Sequence, residues 1–117
     1  MIIIRRIEDG EYSLLPKIED MAGEIFLQAG IDLSHFSSTP STYYESFDKE
    51  RSGIFVAVKE GEIIGFCYTK TVDNNGYLGE MSVIPQYTRQ GIGTKLLHKA
   101  IDWTREKNYR FLLLTTF

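Results

Sequence analysis

Between Ile54 and Val83 the sequence keeps a two-residue period, and this stretch confines the chain to a small set of sheet folds. Ile54-Phe55-Val56-Ala57-Val58 reads as a strand, Glu60-Gly61 as a turn and Glu62 to Val72 as a second strand. Asp73-Asn74-Asn75-Gly76 contains the Asn-Gly pair that two-residue hairpin turns favour, and Tyr77 to Val83 is a third strand. Three strands joined by tight turns make an antiparallel meander. Pro85 ends the third strand. The period then becomes helical. Ile92, Leu96, Leu97, Ala100, Ile101 and Thr104 share one face, and Lys95, Lys99, Asp102 and Glu106 the other. Arg105 and Lys107 suit the negative end of the helix dipole, and Asn108 supplies a stop. Tyr109 to Thr116 is the final strand. Reached through a helical crossover, it must run parallel to Tyr77–Val83. The expected fold is α/β: a mixed sheet in which the meander is followed by a parallel βαβ crossover, with helices on both faces.

The N-terminal part supplies the remaining elements. Ile2 to Ile7 is a short β-branched strand broken by Glu8-Asp9-Gly10. Leu14, Ile18, Met21, Ile25 and Ala29 recur at helical steps, with Leu15, Ala22 and Phe26 alongside. Ser13 is the candidate cap, Pro16 fits the first turn and Gly30 ends the helix. Residues 31–40 have the composition of a loop. Thr39-Pro40 reads as a cap followed by Pro at the first position of a short helix through Tyr43, Tyr44 and Phe47, finished before Gly53. With 117 residues, 43% of them apolar, the chain forms one domain around one core.

Composition removes several functions. Thirteen basic against sixteen acidic residues give a net charge of -3, which argues against a nucleic-acid partner. The lone Cys67 cannot form an intramolecular disulfide. With only His35 and His98 beside it, no metal site is expected, and a reducing, cytoplasmic location is. Met1 to Ile4 is apolar, but Arg5-Arg6 follows at once, so no signal peptide is read. No apolar run approaches the ~18 residues of a membrane span. Cys67, Trp103, Tyr43, Tyr44 and Phe47 are assigned to packing, and His98 and Glu24 to the surface.

The chemistry is carried by Leu78-Gly79-Glu80-Met81-Ser82-Val83-Ile84-Pro85-Gln86-Tyr87-Thr88-Arg89-Gln90-Gly91-Ile92-Gly93-Thr94, which runs strand, glycine loop, helix. Unpaired N–H groups at a helix start bind anions, and glycines let a phosphate approach the backbone. Gly93-Thr94-Lys95 has the wrong order for a P-loop. Leu96 stands where a dinucleotide fingerprint needs its third glycine.

Val83-x-Pro85 followed by Arg89-Gln90-Gly91-Ile92-Gly93 resembles the acetyl-coenzyme-A motif of the GCN5-related N-acetyltransferase (GNAT) family. The order of strands and helices over the whole chain is similar too. The resemblance implies an N-acetyltransferase that moves acetyl from acetyl-CoA directly to a primary amine of a small molecule or protein. It implies that the backbone of Met81, Ser82 and Val83 pairs with pantetheine, the Met81 N–H facing the thioester carbonyl. It implies that amides of Arg89, Gln90, Gly91, Ile92, Gly93 and Thr94 cradle the pyrophosphate. The family usually has Gln or Arg where Thr88 stands, and Arg89 is positioned in sequence to supply that charge. Glu80 is the candidate general base. The tyrosine general acid common in the family lies beyond Phe117, so no residue takes that role. The alternative is a catalytically incomplete CoA-binding module of the same fold. Phe111-Leu112-Leu113-Leu114 reads as a strand buried on both faces with an unpaired far edge. Residues 1–117 are therefore read as a C-terminally incomplete domain, completed by further chain or by a second copy pairing along that strand as a homodimer.

Overall fold

The computed structural model describes residues 1–28 and 40–114, with side chains for all of these except 23–28 and 41. Strand β1 (Ile2–Arg6) leads through a 3-10 turn (Tyr12–Leu14) into helix α1 (Leu15–Gln28). Helix α2 (Ser41–Glu45) precedes three long strands, β2 (Ser52–Lys59), β3 (Glu62–Val72) and β4 (Asn75–Val83). A second 3-10 turn (Pro85–Tyr87) leads to helix α3 (Ile92–Glu106) and then strand β5 (Leu112–Leu114). The sheet order is β1-β2-β3-β4-β5, antiparallel except for the parallel pair β4–β5. This is the mixed α/β sheet that the sequence predicts.

The two faces of the sheet follow from residue alternation in the strands, interrupted in β3 at Ile64, the extra residue of the β2–β3 register shift. Ile54, Val56, Phe66 and Tyr68 point to one side, where Leu15 and Ile18 of α1 and Tyr44 of α2 pack on them. Phe55, Ala57, Ile64 and Cys67 point to the other, beneath Ile92, Leu96 and Trp103 of α3. Trp103, rather than Ile101, centres the buried stripe of α3. His98 is exposed, as expected. Tyr44 belongs to the core, whereas Tyr43 is exposed rather than packed away.

Several local expectations shift. The β3–β4 turn, read over Asp73–Gly76, is confined to its first two residues, Asp73-Asn74, with φ of 50° and 61°. Asp and Asn tolerate this left-handed region, which frees Gly76 to enter β4. There a Cβ on Gly76 would lie 2.6 Å from Thr104 Oγ1 of α3, so glycine is what lets helix and strand meet. Gly76→Ala should therefore destabilise the fold by about 1–3 kcal/mol, read from urea unfolding. Pro40 is the N-cap of α2 rather than its first residue. Ser13 lies inside the 3-10 turn and caps nothing. Asn108, at φ 60°, follows the end of α3 as read.

The last strand differs most. Its described part is short, and Phe111, Leu113 and Leu114 are 55%, 43% and 49% exposed instead of buried on both faces. Among the described residues β5 is the sheet edge, and no described helix covers these side chains. Gly30, His35 and Thr39 lie outside the described residues, as does the side chain of Glu24.

Cys67 is fully buried under α3, its thiol 3.6 Å from the Leu96 carbonyl oxygen, and burial pushes its pKa up to about 12. Neither access nor thiolate is available near neutral pH. Native protein should leave a disulfide thiol reagent unreacted at pH 8 and consume one equivalent on unfolding. Reaction of the native protein would contradict this burial.

Candidate functional site

The site begins with a break in β4. The register runs Tyr68↔Glu80 and then Thr69↔Leu78, so Gly79 is an extra residue, a β-bulge. On its other side, among the described residues, β4 pairs with β5 through Gly76↔Leu112, Tyr77↔Leu113 and Leu78↔Leu114. Past the bulge, among the described residues, β4 pairs with β3 alone. The Ile84 N–H donates to the Ile64 carbonyl, which fixes the phase of the ladder. Alternation then turns the backbone polar groups of Met81 and Val83 away from β3, toward the open side.

Side chains in this segment divide between the faces. Glu80 and Ser82 point to the α1–α2 face, and Met81 and Val83 to the α3 face. Met81 meets the start of α3: a Cβ on Gly93 would find only the Met81 methyl, at 3.8 Å. Strand edge and helix start are therefore neighbours.

The helix start is built by two left-handed residues, Arg89 at φ 66° and Gly91 at φ 78°. They turn the chain so that α3 begins with Gly91 as N-cap and with no side chain capping it. The first amides of α3 have no intrahelical acceptor. A Cβ on Gly91 would touch nothing within 4 Å. The uncapped amides and the open space over both glycines fit an incoming phosphate. Arg89, Gln90 and Thr94 are exposed at this rim, whereas Ile92 is buried and can offer only its amide. Thr88 donates its hydroxyl to the Pro85 carbonyl at 2.8 Å, which ties it into the preceding turn.

Glu80 is partly buried. One carboxylate oxygen accepts the Met81 N–H and the Ser82 hydroxyl, each at 3.1 Å. Burial and the nearby charge of Glu19 raise its pKa above the usual carboxylate range, against the opposing effect of those two hydrogen bonds. Glu19 itself, on α1, accepts a hydrogen bond from the Tyr44 hydroxyl. The structure thus brings Met81 to the start of α3, with Val83 on the same face, and sets Glu80 and Ser82 on the opposite face of β4. It adds two features that the motif reading passes over, Glu19 and the contact of Tyr68 with Gly79. A glycine inside a strand is a recognised bulge signal; Glu19 carries none.

Among the described residues no group of three or more His, Cys, Asp or Glu side chains is placed to hold a metal ion. No described helix is long and apolar enough to cross a membrane.

The sequence model described as "Acetyltransferase (GNAT) family" matches residues 16–117. Streptothricin acetyltransferase A of Bacillus subtilis is 34% identical over 71 residues, 59% of this chain and 40% of that protein. Against the curated relatives it matches, the chain spans about half of their length, from 40% to 58%. The ribosomal-protein-S18-alanine N-acetyltransferase of Escherichia coli superposes with a TM-score of 0.75 at 25% identity, over 97% of this chain and 66% of that one. The PaiA N-acetyltransferase of Thermoplasma acidophilum, solved with coenzyme A, superposes with a TM-score of 0.78 at 18% identity, over 99% and 79% of the two chains.

Proposed function

Because the chain belongs to the GNAT acetyltransferase family, we propose that it transfers acetyl from acetyl-CoA directly to a primary amine. The observation that carries this reading is the juxtaposition at the bulge. Among the described residues, the part of β4 that has no pairing with β5 turns its Met81 and Val83 backbone outward beside an uncapped, glycine-lined helix start, and the partly buried Glu80 carboxylate on the strand's other face accepts the Met81 N–H. Met81 and Val83 would hold pantetheine by their backbone, the Met81 N–H leaving Glu80 to do so, whereas the Ser82 backbone, expected to share this role, faces β3; amides from Arg89 to Thr94 would hold the pyrophosphate. Each charged hydrogen bond contributes about 1.5–3 kcal/mol, against about 0.3–1 kcal/mol from the helix dipole, so the amides dominate affinity. Acetyl-CoA, when bound, supplies the activated thioester carbonyl.

The protein's part is to free the amine of its proton. A lysine-like amine with pKa ~10.4 is neutral in only about one molecule in two thousand at pH 7, whereas an α-amine near ~7.8 is over a tenth neutral. Glu80, with its raised pKa, is better matched to accept that proton than an ordinary carboxylate. One relative is named for streptothricin and one structural neighbour for the alanine of a ribosomal protein. These names support an amine acceptor on a small molecule or a protein. The buried single cysteine suits a reducing cytoplasm. Pairing of a second copy along β5 belongs to this reading, and light scattering coupled to size exclusion checks it.

Calorimetric titration with acetyl-CoA, followed by mass spectrometry of an amine panel, tests the proposal. Binding with no acetylated product from any amine would leave the alternative, a CoA-binding module. No binding would remove both.

A further inference from the structure

Tyr68 and Gly79 meet at the bulge, outside the cofactor loop. A Cβ on Gly79 would lie 2.6 Å from Cε1 of Tyr68, and closer still to its Cζ and hydroxyl oxygen. The phenol therefore rests on the glycine itself, in volume that any other residue would claim. Helix α2 and the turn after it clamp the ring. Phe47 stacks on it with centroids 4.9 Å apart and planes at 22°, and Tyr44 stands edge-on at 5.6 Å. The hydroxyls of Tyr68 and Tyr43 are 3.4 Å apart. Tyr68 is only 6% exposed.

A bulge at glycine is soft, because glycine has the widest backbone freedom. Loss of the bulge, with the rest of β4 sliding one residue against β3, would turn each following side chain to the opposite face. Met81 would then replace Glu80 on the α1–α2 side, and the cofactor-facing amides would change with it. A ring that fits only over a residue without a Cβ marks position 79 and no other in this strand segment, since Leu78, Glu80 and Met81 all carry one. We propose that Tyr68 is a positioning residue: its phenol, held on Gly79 by Tyr44 and Phe47, locks the register of β4 and so fixes Glu80 on the α1–α2 face. This inference rests on the reading of Glu80 as the base.

The groups facing Glu80 are Glu19 from α1, Tyr68 from β3, and the Ser82 hydroxyl and Met81 N–H from β4, with Tyr43 and Tyr44 of α2 behind Tyr68. Burial raises the pKa of the Tyr68 phenol, so it stays uncharged and contributes exclusion of water rather than charge.

Two measurements that need no turnover test the lock: acetyl-CoA affinity and the NMR titration of the Glu80 carboxyl. Gly79→Ala should weaken acetyl-CoA binding by at least ~10-fold, and adding Tyr68→Val should bring it to within ~3-fold of Tyr68→Val alone, a strongly non-additive pair. Tyr68→Val alone should move the Glu80 titration to lower pH as water reaches the carboxylate. Tyr68→Phe, which keeps the ring, should leave both readouts near the parent. Additive losses in the double variant, or a Glu80 titration unmoved by Tyr68→Val, would overturn the proposal. If Gly79→Ala does not fold alone, restored folding in the double variant supports the lock and a still unfolded one counts against it. A parent protein that acetylates no amine would instead sink the role of Glu80 as base, with the lock still decided by these two readouts.

Discussion

Glu80→Gln lowers acetyl transfer by ~10²–10⁴-fold while acetyl-CoA affinity stays near the parent value. Gln has the same size, and its amide oxygen can still accept the Met81 N–H and the Ser82 hydroxyl that Glu80 accepts now. What it lacks is the capacity to take a proton from an attacking ammonium. The pH dependence follows from the same carboxylate. Burial and Glu19 raise its pKa, so kcat/KM climbs with pH and its midpoint lies above the ordinary carboxylate range. In the variant this limb disappears, leaving only the ionisation of the amine. Stability moves the other way. A raised pKa means that the folded state favours the protonated carboxyl. Its contribution is therefore present below the unfolded value of ~4.3 and is lost as pH rises through the folded value. Ionised Glu80 thus costs stability at neutral pH. Glu80→Gln should raise Tm at pH 7, with the gain vanishing near pH 4. A rate-pH profile unchanged by the substitution would remove Glu80 from the mechanism.

The sheet was legible because its signals are local. Alternation in 54–58 and 62–72, the Glu60-Gly61 turn and Pro85 each act within a few residues, and β3 runs from Glu62 to Val72 as read. The βαβ rule then made β5 parallel to β4. Errors arose where a distant partner overrides a local preference. The turn read over Asp73–Gly76 closes at Asp73-Asn74, and Asn75-Gly76 joins β4, where Thr104 on α3 needs a bare backbone at position 76. Leu113 and Leu114 look like a buried strand, but they lie at the edge of the sheet, where sequence alone does not say what covers them. The site divides in the same way. Its glycine loop is continuous in sequence and was read as a unit. The charge of Glu19 acting on Glu80 and the contact of Tyr68 with Gly79 join residues from different strands and helices, and periodicity carries no trace of them.

Gly93→Glu abolishes acetyl-CoA binding without harming the fold. Gly93 is the second residue of α3, its φ lies outside the left-handed region, and an added Cβ meets only the Met81 methyl at 3.8 Å. Backbone and space therefore both accept a side chain. An acidic residue in the first helical turn interacts favourably with the dipole by about 0.3–1 kcal/mol, and removing a helical glycine gains a further ~0.5–1 kcal/mol. Tm should stay level or rise. The new carboxylate, however, lies where a pyrophosphate would meet the amides. It repels that charge and competes for the same donors. Loss of two charged hydrogen bonds, at about 1.5–3 kcal/mol each, weakens binding by ~10²–10⁴-fold before repulsion is added. Gly91→Ala is the contrasting control: the space there is open, but φ of 78° strains any L-residue, so it should cost about 1–2 kcal/mol of stability. Thr94→Ala, which leaves the backbone amide in place, should weaken binding only a few-fold. Calorimetry and thermal unfolding on the same three variants separate the two effects. A stable Gly93→Glu protein that binds acetyl-CoA as tightly as the parent would mean that the start of α3 does not hold the phosphates.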